Sequence, residues 1–514
     1  MTGVLRRWDF WLCLIAAVLG ALIAPLDDPD LPMHLLTGDW ILDHGQLPTI
    51  EPFAWTRAGA SFIAYSWLPE VLYAVGWRAL GSLGVSLVHA TIAGASAWAI
   101  WWLARTQQWT VWSARIVAAV HILLWSQVQP AARPQLLLAV AVPLAWGSAT
   151  LFRRHVVAER TDGLPAIPLL VATISGMIAV NSHLLFPLTL APVVWVLAST
   201  PIRRAWVWVA AMLFGWMLTP NAAHLVSAFV LNFSPNALFG AASPILEHES
   251  GFAYLTHTSL GTQLLVLALL MLPLTRPVAQ SRTRERVWMG LSWMTGLVLF
   301  GLAVRGLLLW WLLALPWMAM ACSAIPLPRS SRIARATLLA WCIVVTSAVL
   351  HAAQSARRAA DIEGLPHPYA RELAPIVEVL ECAVSDRQER RGVESATRGI
   401  TNFDYGSYLA WRIPQISWSI DGRTIFPDSV ARAEARQQLR EGSPVHQPWR
   451  AGDVVAFSSG HATLGLIRAD SAWMPILSDA QATPGTIELW VRRAWWTREV
   501  GSSNCAALAG RVEP

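Results

Sequence analysis

A chain of 514 residues that is 55% hydrophobic and only 14% charged is not a soluble enzyme; it is a polytopic membrane protein carrying a polar portion. The 38 basic residues are all arginine, which excludes lysine chemistry, and the formal net charge of +6 suggests nucleic acid only until the arginines are placed. The five cysteines (Cys13, Cys322, Cys342, Cys382 and Cys505) show no metal-ligand spacing.

The chain begins with Arg6-Arg7 and an apolar run over 10–25, which resembles a signal peptide but is expected to stay as the first helix. Apolar stretches long enough to cross a bilayer follow at 81–104, 112–127, 135–152, 165–181, 184–200, 205–219, 259–275, 287–304, 306–325 and 336–353, about eleven spans in all. Segment 67–80 is too short to cross and predicts an interfacial helix. Tryptophan favours the membrane–water interface, which assigns Trp101-Trp102 and Trp310-Trp311 to helix ends or lipid-facing bands. Up to residue 353, sixteen arginines fall on one side of these spans, and only Arg57, Arg78, Arg133 and Arg305 on the other. The positive-inside rule then puts the N-terminus in the cytoplasm and the C-terminal portion outside. That distribution removes the case for nucleic acid as a partner.

From about residue 354 the chain turns polar. Short β-like runs at Gly399–Phe403, Ile416–Ile420, Val454–Ser458 and Ile487–Val491, with a charged helical stretch at Ser429–Arg440, predict a small α/β domain. The domain expectation is therefore 1–353 for the membrane part, with a first external loop at 26–80, and 354–514 for an extracytoplasmic domain. Cys382 and Cys505 fall in that domain and are candidates for a disulfide. The runs DYGSYLAW and IDGRTIF read as Gly-centred turns.

The densest chemistry lies in the first external loop, where Asp27, Asp28, Asp30, Asp39, Asp43, Glu51 and Glu70 accompany His34 and His44. Carboxylates this crowded beside a membrane need water, a metal or a cationic ligand. Asp30 with Pro32 predicts a helix start, and Gly45 followed by Pro48 its end. Helical spacing then puts Asp30, His34, Thr37, Ile41 and His44 near one face. A carboxylate and an imidazole on one face can take a proton from a hydroxyl or share a divalent ion; a helix cap with a solvated histidine is the plainer alternative. Arg133 at a helix mouth can pair with phosphate or snorkel at the interface. Arg305 near the end of a span, Asn181 and His183 at a helix turn, and the acidic cluster Glu247-His248-Glu249 are further external candidates.

The pattern Asp30-x3-His34-Leu35-x2-Gly38-x2-Ile41-x3-Gly45-x2-Pro48, directly after the first span, resembles the first external loop of the GT-C superfamily of integral-membrane glycosyltransferases. Those families often carry an Asp-Glu pair there. Asp30 falls on the Asp, Leu31 stands where Glu is usual, and Asp27 or Asp28 would have to supply the second acid. The run from Asp28 to Phe53 is more closely similar to a group of bacterial multi-pass GT-C-like proteins. So are Trp67-Leu68-x-Glu70, Arg133-Pro134-Gln135-Leu136, Asn181-x-His183, Pro220-Asn221, Phe403–Leu409 and Asp421-Gly422-Arg423.

The resemblance implies a mainly α fold, a GT-C-like transmembrane bundle with an extracytoplasmic α/β domain, in the inner (cytoplasmic) membrane. It implies transfer of a sugar from a polyprenyl-phosphate donor to a glycan, lipid or protein acceptor outside. Asp30 would be the catalytic base or acceptor-orienting group, supported by His34 and Asp28, with Arg133 or Arg305 on the leaving phosphate and Asn181, His183 and Glu70 lining the substrate cavity. The cofactor expectation is a divalent cation, Mg or Mn, or none. A non-catalytic GT-C-derived scaffold is the alternative; a transporter fits less well, because its ionisable groups would sit near the midplane.

Overall fold

The computed structural model describes residues 30–110, 132–158, 165–228, 260–271, 283–302, 306–323, 370–391, 397–401, 403–419, 451–459, 461–477 and 487–499, with Asp28 and scattered positions at 14–18 and 113–121. The chain forms two compact units. One comprises Met1–Pro25, Tyr65–Ala228 and Ile245–Arg358; the other comprises Leu26–Ala64, Phe229–Pro244 and Ala359–Pro514. The first described helix, α1 (Leu31–His44), belongs to the second unit.

The first unit is helical. Its elements are α2 (Trp67–Leu80), α3 (Ser82–Thr106), α4 (Leu138–Val157), α5 (Ala166–Ser182), α6 (Leu190–Ser199), α7 (Ile202–Met217), α8 (Leu260–Met271), α9 (Thr283–Leu302) and α10 (Gly306–Ser323). The expected interfacial helix is α2. It turns back on α3 at Gly81, whose φ of 59° and ψ of −139° lie in a region that only glycine occupies readily. The hairpin closes through Gly76 and Gly84: a Cβ on Gly76 would sit 2.7 Å from the Gly84 carbonyl oxygen. In the same way α5 and α7 cross where Gly176 meets the Met212 carbonyl. Small residues let helix backbones approach where lipid supplies no hydrophobic drive.

Hydroxyls tie the same helices together. The Trp208 indole N–H donates to Ser148 Oγ, which donates to the Pro168 carbonyl, and Thr173 Oγ1 donates to the Ala211 carbonyl. Among the described residues, Ser82–Thr106 and Pro134–Val157 are long and apolar enough to cross a membrane. Ile202–Met217 and Ala222–Ala228, bent by 96°, make a third if taken together. Two or three spans, with shorter apolar helices such as Ala166–Ser182 and Leu307–Met318, stand where about eleven were expected. The expected spans at 10–25, 112–127 and 336–353 fall largely or wholly outside the described residues.

Trp310 and Trp311 are fully buried rather than facing lipid. Trp310 packs on the bare backbone of Gly296 and on the rings of Trp293 and Phe300, with centroids at 5.9 and 5.7 Å. The missing side chain at Gly296 provides the slot for the indole.

The second unit carries a five-stranded sheet of β1 (Thr397–Thr401), β2 (Ile416–Trp418), β3 (Val454–Ser458), β4 (Trp473–Leu477) and β5 (Ile487–Arg492), in the order β2-β1-β3-β5-β4. β1 is parallel to β2 and β3, while β5 is antiparallel to β3 and β4. Helices α11 (Ala370–Arg391), α12 (Phe403–Arg412) and α14 (Arg493–Glu499) cover one face, over a core that includes Leu380, Tyr408, Leu409, Trp418 and Trp495. Helix α13 (Ala462–Ala469) covers part of the other face, over Ile400, Val455, Phe457 and Trp490. The run DYGSYLAW is helix, not turn: Tyr405, Tyr408 and Leu409 are buried at helical spacing, and that period outweighs the local preference of Asp and Gly for turns. β4 carries Pro475 and is an edge strand, where a missing N–H costs nothing. Cys382 in α11 is disulfide-bonded, and Cys505 lies outside the described residues, as do Ser429–Arg440 and IDGRTIF.

Two predictions follow from this packing. Gly84→Val forces α2 and α3 apart and costs about 1–3 kcal/mol of overpacking, read as a lower unfolding temperature in detergent. The second concerns His461, the N-cap of α13, whose Nδ1 accepts the Thr463 N–H at 3.3 Å and whose ring stacks on Phe457 at 3.9 Å. Burial lowers its pKa from 6.5 to about 4. Between those values the unfolded chain binds a proton that the folded one refuses. Stability is therefore full above pH 6.5 and falls with pH, by about 2 kcal/mol at pH 5. His461→Gln should flatten that part of the melting-temperature profile.

Candidate functional site

The head of α1 follows from three residues. Pro32 occupies the first turn, where no amide hydrogen is needed, and Asp30 holds the N-cap position. The carboxylate that organises the turn belongs to the buried Asp28. Its Oδ1 accepts the Asp30 N–H at 2.9 Å, and its carbonyl accepts the Leu31 N–H at 3.1 Å. The Asp30 side chain makes no capping bond, contrary to the expected cap; its carbonyl accepts the N–H groups of Met33 and His34. The helix ends as its sequence implies. Gly45 adopts φ 64°, and its N–H returns to the Ile41 carbonyl at 2.8 Å.

The face expected to carry Asp30, His34, Thr37, Ile41 and His44 is not uniform. Asp30 and His34 are half-buried, Thr37 and Ile41 are buried, and His44 is exposed. The His44 ring stacks on Trp40 at 4.0 Å, and its Nδ1 lies 2.8 Å from the Trp40 carbonyl. Asp30 and His34 thus stand at the accessible end of a helix whose Leu31 and Leu35 are fully buried. Chemically this end offers one carboxylate and, one turn on, one imidazole.

Beyond α1 the loop doubles back through the Glu51 N–H to Ala60 carbonyl and Phe62 N–H to Thr49 carbonyl bonds, each 2.9 Å. Buried Glu51 accepts the N–H groups of Phe53 and Ala54 through Oε1, and its Oε2 lies 3.7 Å from Nε of buried Arg57. Arg57 and Glu51 thus serve the fold of the loop. Sequence reasoning missed this pair, an acid and an arginine six residues apart with Pro52 between them. The loop then meets the sheet. Trp55 Nε1 donates to the Gly399 carbonyl at 3.1 Å, Thr56 Oγ1 to the Ser419 carbonyl, and Ser417 Oγ to the Phe53 carbonyl at 3.0 Å. Leu36 of α1 packs against the core under α11 and α12, and Trp55 against the core of the opposite face.

In the helical unit, three of the quoted motifs come together. Asn181, buried in the last turn of α5, accepts the Trp67 indole N–H at 2.7 Å. It donates to the carbonyls of Met177 and Leu218, both at 2.8 Å. Leu218 is where α7 stops before Pro220-Asn221, so the amide satisfies a carbonyl freed by the break. His183 ends α5, accepts the Leu185 N–H through Nδ1 at 3.2 Å and meets the Tyr65 ring edge-on at 6.2 Å. Glu70 is buried in the first turn of α2. Arg133 is half-buried and extended before Pro134, with its carbonyl accepting the Leu136 N–H. Arg305 and the Glu247–Glu249 cluster lie outside the described residues.

A divalent cation needs several oxygen donors converging. Among the described residues, no group of three or more His, Cys, Asp and Glu does so. At the head of α1 the residue after Asp30 is the buried Leu31, and Asp28 spends an oxygen on a backbone amide. Among the described residues this donor set does not fit a cation; Asp27, the other candidate for the second acid, lies outside them.

No family model and no curated protein matches the chain. Its fold is similar to solved structures of the oligosaccharyltransferase of Archaeoglobus fulgidus. The form tethered to an acceptor peptide containing the NVT sequon gives a TM-score of 0.57 at 11% identity, over 88% of this chain and 69% of that one. The apo form gives 0.53 at 11%, over 98% and 78%. The complex with an inhibitory peptide and a dolichol-phosphate gives 0.54 at 11%, over 97% and 77%. The likeness is one of fold.

Arg57→Ala leaves the Glu51 carboxylate buried without its cation and should destabilise the protein by about 3 kcal/mol. Glu51→Gln keeps an oxygen for the Phe53 and Ala54 amides and should cost less, an order that paired thermal melts would check.

Proposed function

We propose that the chain is a membrane glycosyltransferase that moves a sugar from a polyprenyl-phosphate donor to an acceptor hydroxyl or amide on the extracytoplasmic side. The observation that carries this reading is the half-exposed Asp30–His34 pair at the head of α1, in a chain with a GT-C-like fold. Asp28 fixes the backbone of that turn, and the Asp30 side chain makes no cap bond to the helix.

In the proposed step, the acceptor heteroatom attacks the anomeric carbon as its proton passes to the Asp30 carboxylate. The bond from that carbon to the phosphate oxygen breaks, and the electron pair leaves with the polyprenyl phosphate. His34, one turn along, is proposed to orient the acceptor. Arg133 or Arg305 is the proposed partner of the leaving phosphate, whose charge grows in the transition state. Asn181 bonds to Trp67, Met177 and Leu218 within the helix bundle, so a role in holding α2, α5 and α7 together accounts for it. The membrane placement, with the sheet-bearing unit outside, is supported by the arginine distribution and by the disulfide at Cys382.

The scaffold alternative rests on Leu31, a fully buried leucine at the place of a second acid. Sugar transfer from polyprenyl-phosphate donors by purified wild type and Asp30→Asn separates the two readings. General-base loss should lower the rate about 100-fold or more, with unchanged melting temperature. Equal transfer by both removes Asp30 from the mechanism, and no transfer by wild type with any donor favours the scaffold.

A further inference from the structure

We propose a lipid site at one end of the helical unit, where α4 stops and α5 and α7 begin. Arg154 and Arg203 hold the phosphate of an anionic phospholipid there, and the outer stripe of α7 takes its acyl chain. Hydrogen bonds set these helix ends side by side. Ser148 Oγ donates to the Pro168 carbonyl, the Trp208 indole N–H to Ser148 Oγ, and Arg204 Nη1 to the Val156 carbonyl at 3.4 Å. The last turn of α4 carries Arg154 and His155, and the first turn of α7 carries Arg203 and Arg204.

Charge at this end is one-sided. From residue 150 to 210 the sequence has five arginines and two acids; of these, Glu159, Arg160 and Asp162 lie outside the described residues. Wherever the two acids lie, the arginines outnumber them. Arg154 and Arg203 are exposed. Arg204 is anchored on the Val156 carbonyl and Arg153 stands over the Trp195 ring at 5.3 Å, so the ligand is assigned to neither. Pro201, at the N-cap of α7, brings no capping side chain, and no acid follows in the first turn. The positive end of that helix therefore adds to the arginines. A guanidinium suits phosphate because its planar N–H edge bonds two oxygens at once.

The same face of α7 continues as an apolar stripe. Arg203, Trp206, Phe214 and Met217 fall at i, i+3, i+11 and i+14, and the three apolar side chains are more than half exposed. On the other side of the helix Ala205, Trp208, Met212 and Gly215 are buried. The rise from Arg203 to Phe214 is about 16 Å, close to the depth of one leaflet in a hydrocarbon core of about 30 Å. A dissolved anion uses the arginines and leaves the stripe; a phospholipid uses both, and the match in length selects the lipid. Trp206, one turn inside Arg203, stands at the level that indoles favour. The inference rests on the membrane placement proposed above and does not depend on the proposed transfer reaction.

The test is native mass spectrometry of the full-length protein in detergent, titrated with phosphatidylglycerol or with phosphatidylcholine of the same chain length. Wild type should bind phosphatidylglycerol about thirtyfold more tightly, and Arg154→Gln combined with Arg203→Gln should bring the two lipids within about threefold. Arg78→Gln removes a like charge from the other end of the bundle. There α2 folds back on the start of α3, and α3 runs parallel to α4, with Ser96 Oγ donating to the Ala139 carbonyl at 3.0 Å and Gln107 Nε2 to Thr150 Oγ1 at 3.2 Å. That variant should keep the preference. Trp206→Ala with Phe214→Ala should weaken both lipids about tenfold and keep their ratio. All five side chains are exposed, and an unchanged melting temperature checks that each variant folds. Equal affinity of wild type for the two lipids overturns the proposal. So does a preference that survives loss of both arginines, or one that falls as far in Arg78→Gln, which marks a diffuse positive surface. Displacement of phosphatidylglycerol by millimolar inorganic phosphate overturns it in favour of a free anion.

Discussion

Residues 26–64 grip one sheet from both sides. Leu36 enters the core under α11 and α12 on one face, and Trp55 covers the other face while its indole bonds to Gly399 in β1. The Thr56–Ser419 and Ser417–Phe53 bonds close the edge of the sheet between them, where Ala54 forms a parallel bridge to Trp418. A helix with Leu31 and Leu35 fully buried cannot roll about its axis without exposing them, at about 1.5–3 kcal/mol for each side chain. The direction in which Asp30 and His34 face is therefore fixed by hydrophobic contacts made elsewhere on the same segment.

The helical unit meets its constraint differently. Where lipid is the solvent, burial of apolar surface drives little, and the helices meet through missing side chains and shared carbonyls. Gly76 with Gly84, and Gly176 at α7, allow backbone contact; Ser148, Thr173 and Asn181 bring donors to carbonyls on neighbouring helices. The sharp break found among the described residues after Met217 is tolerated because the Asn181 amide takes up the carbonyl that the helix leaves behind.

Local signals were legible in the sequence and long-range ones were not. Asp30-Leu31-Pro32 and Gly45 predict α1 within a residue at each end, because proline and glycine act on their own backbone. Three β-like runs land on β1, β2 and β5 within a few residues, and Val454–Ser458 matches β3 at both ends. β4 was missed because Pro475 interrupts its pattern, and only its place at the sheet edge makes that tolerable. The helix at Phe403–Arg412 was misread since Asp404 and Gly406 favour turns locally, and only burial of Tyr405, Tyr408 and Leu409 decides otherwise. At the candidate site, Asp28 looked like a supporting acid and is the turn's organiser. The contacts of Trp55 and Thr56 span 344 and 363 positions, and no periodicity reports on such a distance.

That separation sets an order of events during synthesis. At ribosomal speeds of about 5–20 residues per second, Trp55 emerges roughly 20–70 s before Gly399 exists. Throughout that interval the segment must persist without the sheet it will cover and with Trp55 lacking its acceptor. The Glu51–Arg57 pair and the two-way closure of residues 49–62 are local, so the loop can reach its own shape early and wait. The buried ion pair and the loop's own backbone bonds join residues a few positions apart, so they need none of the strands made later.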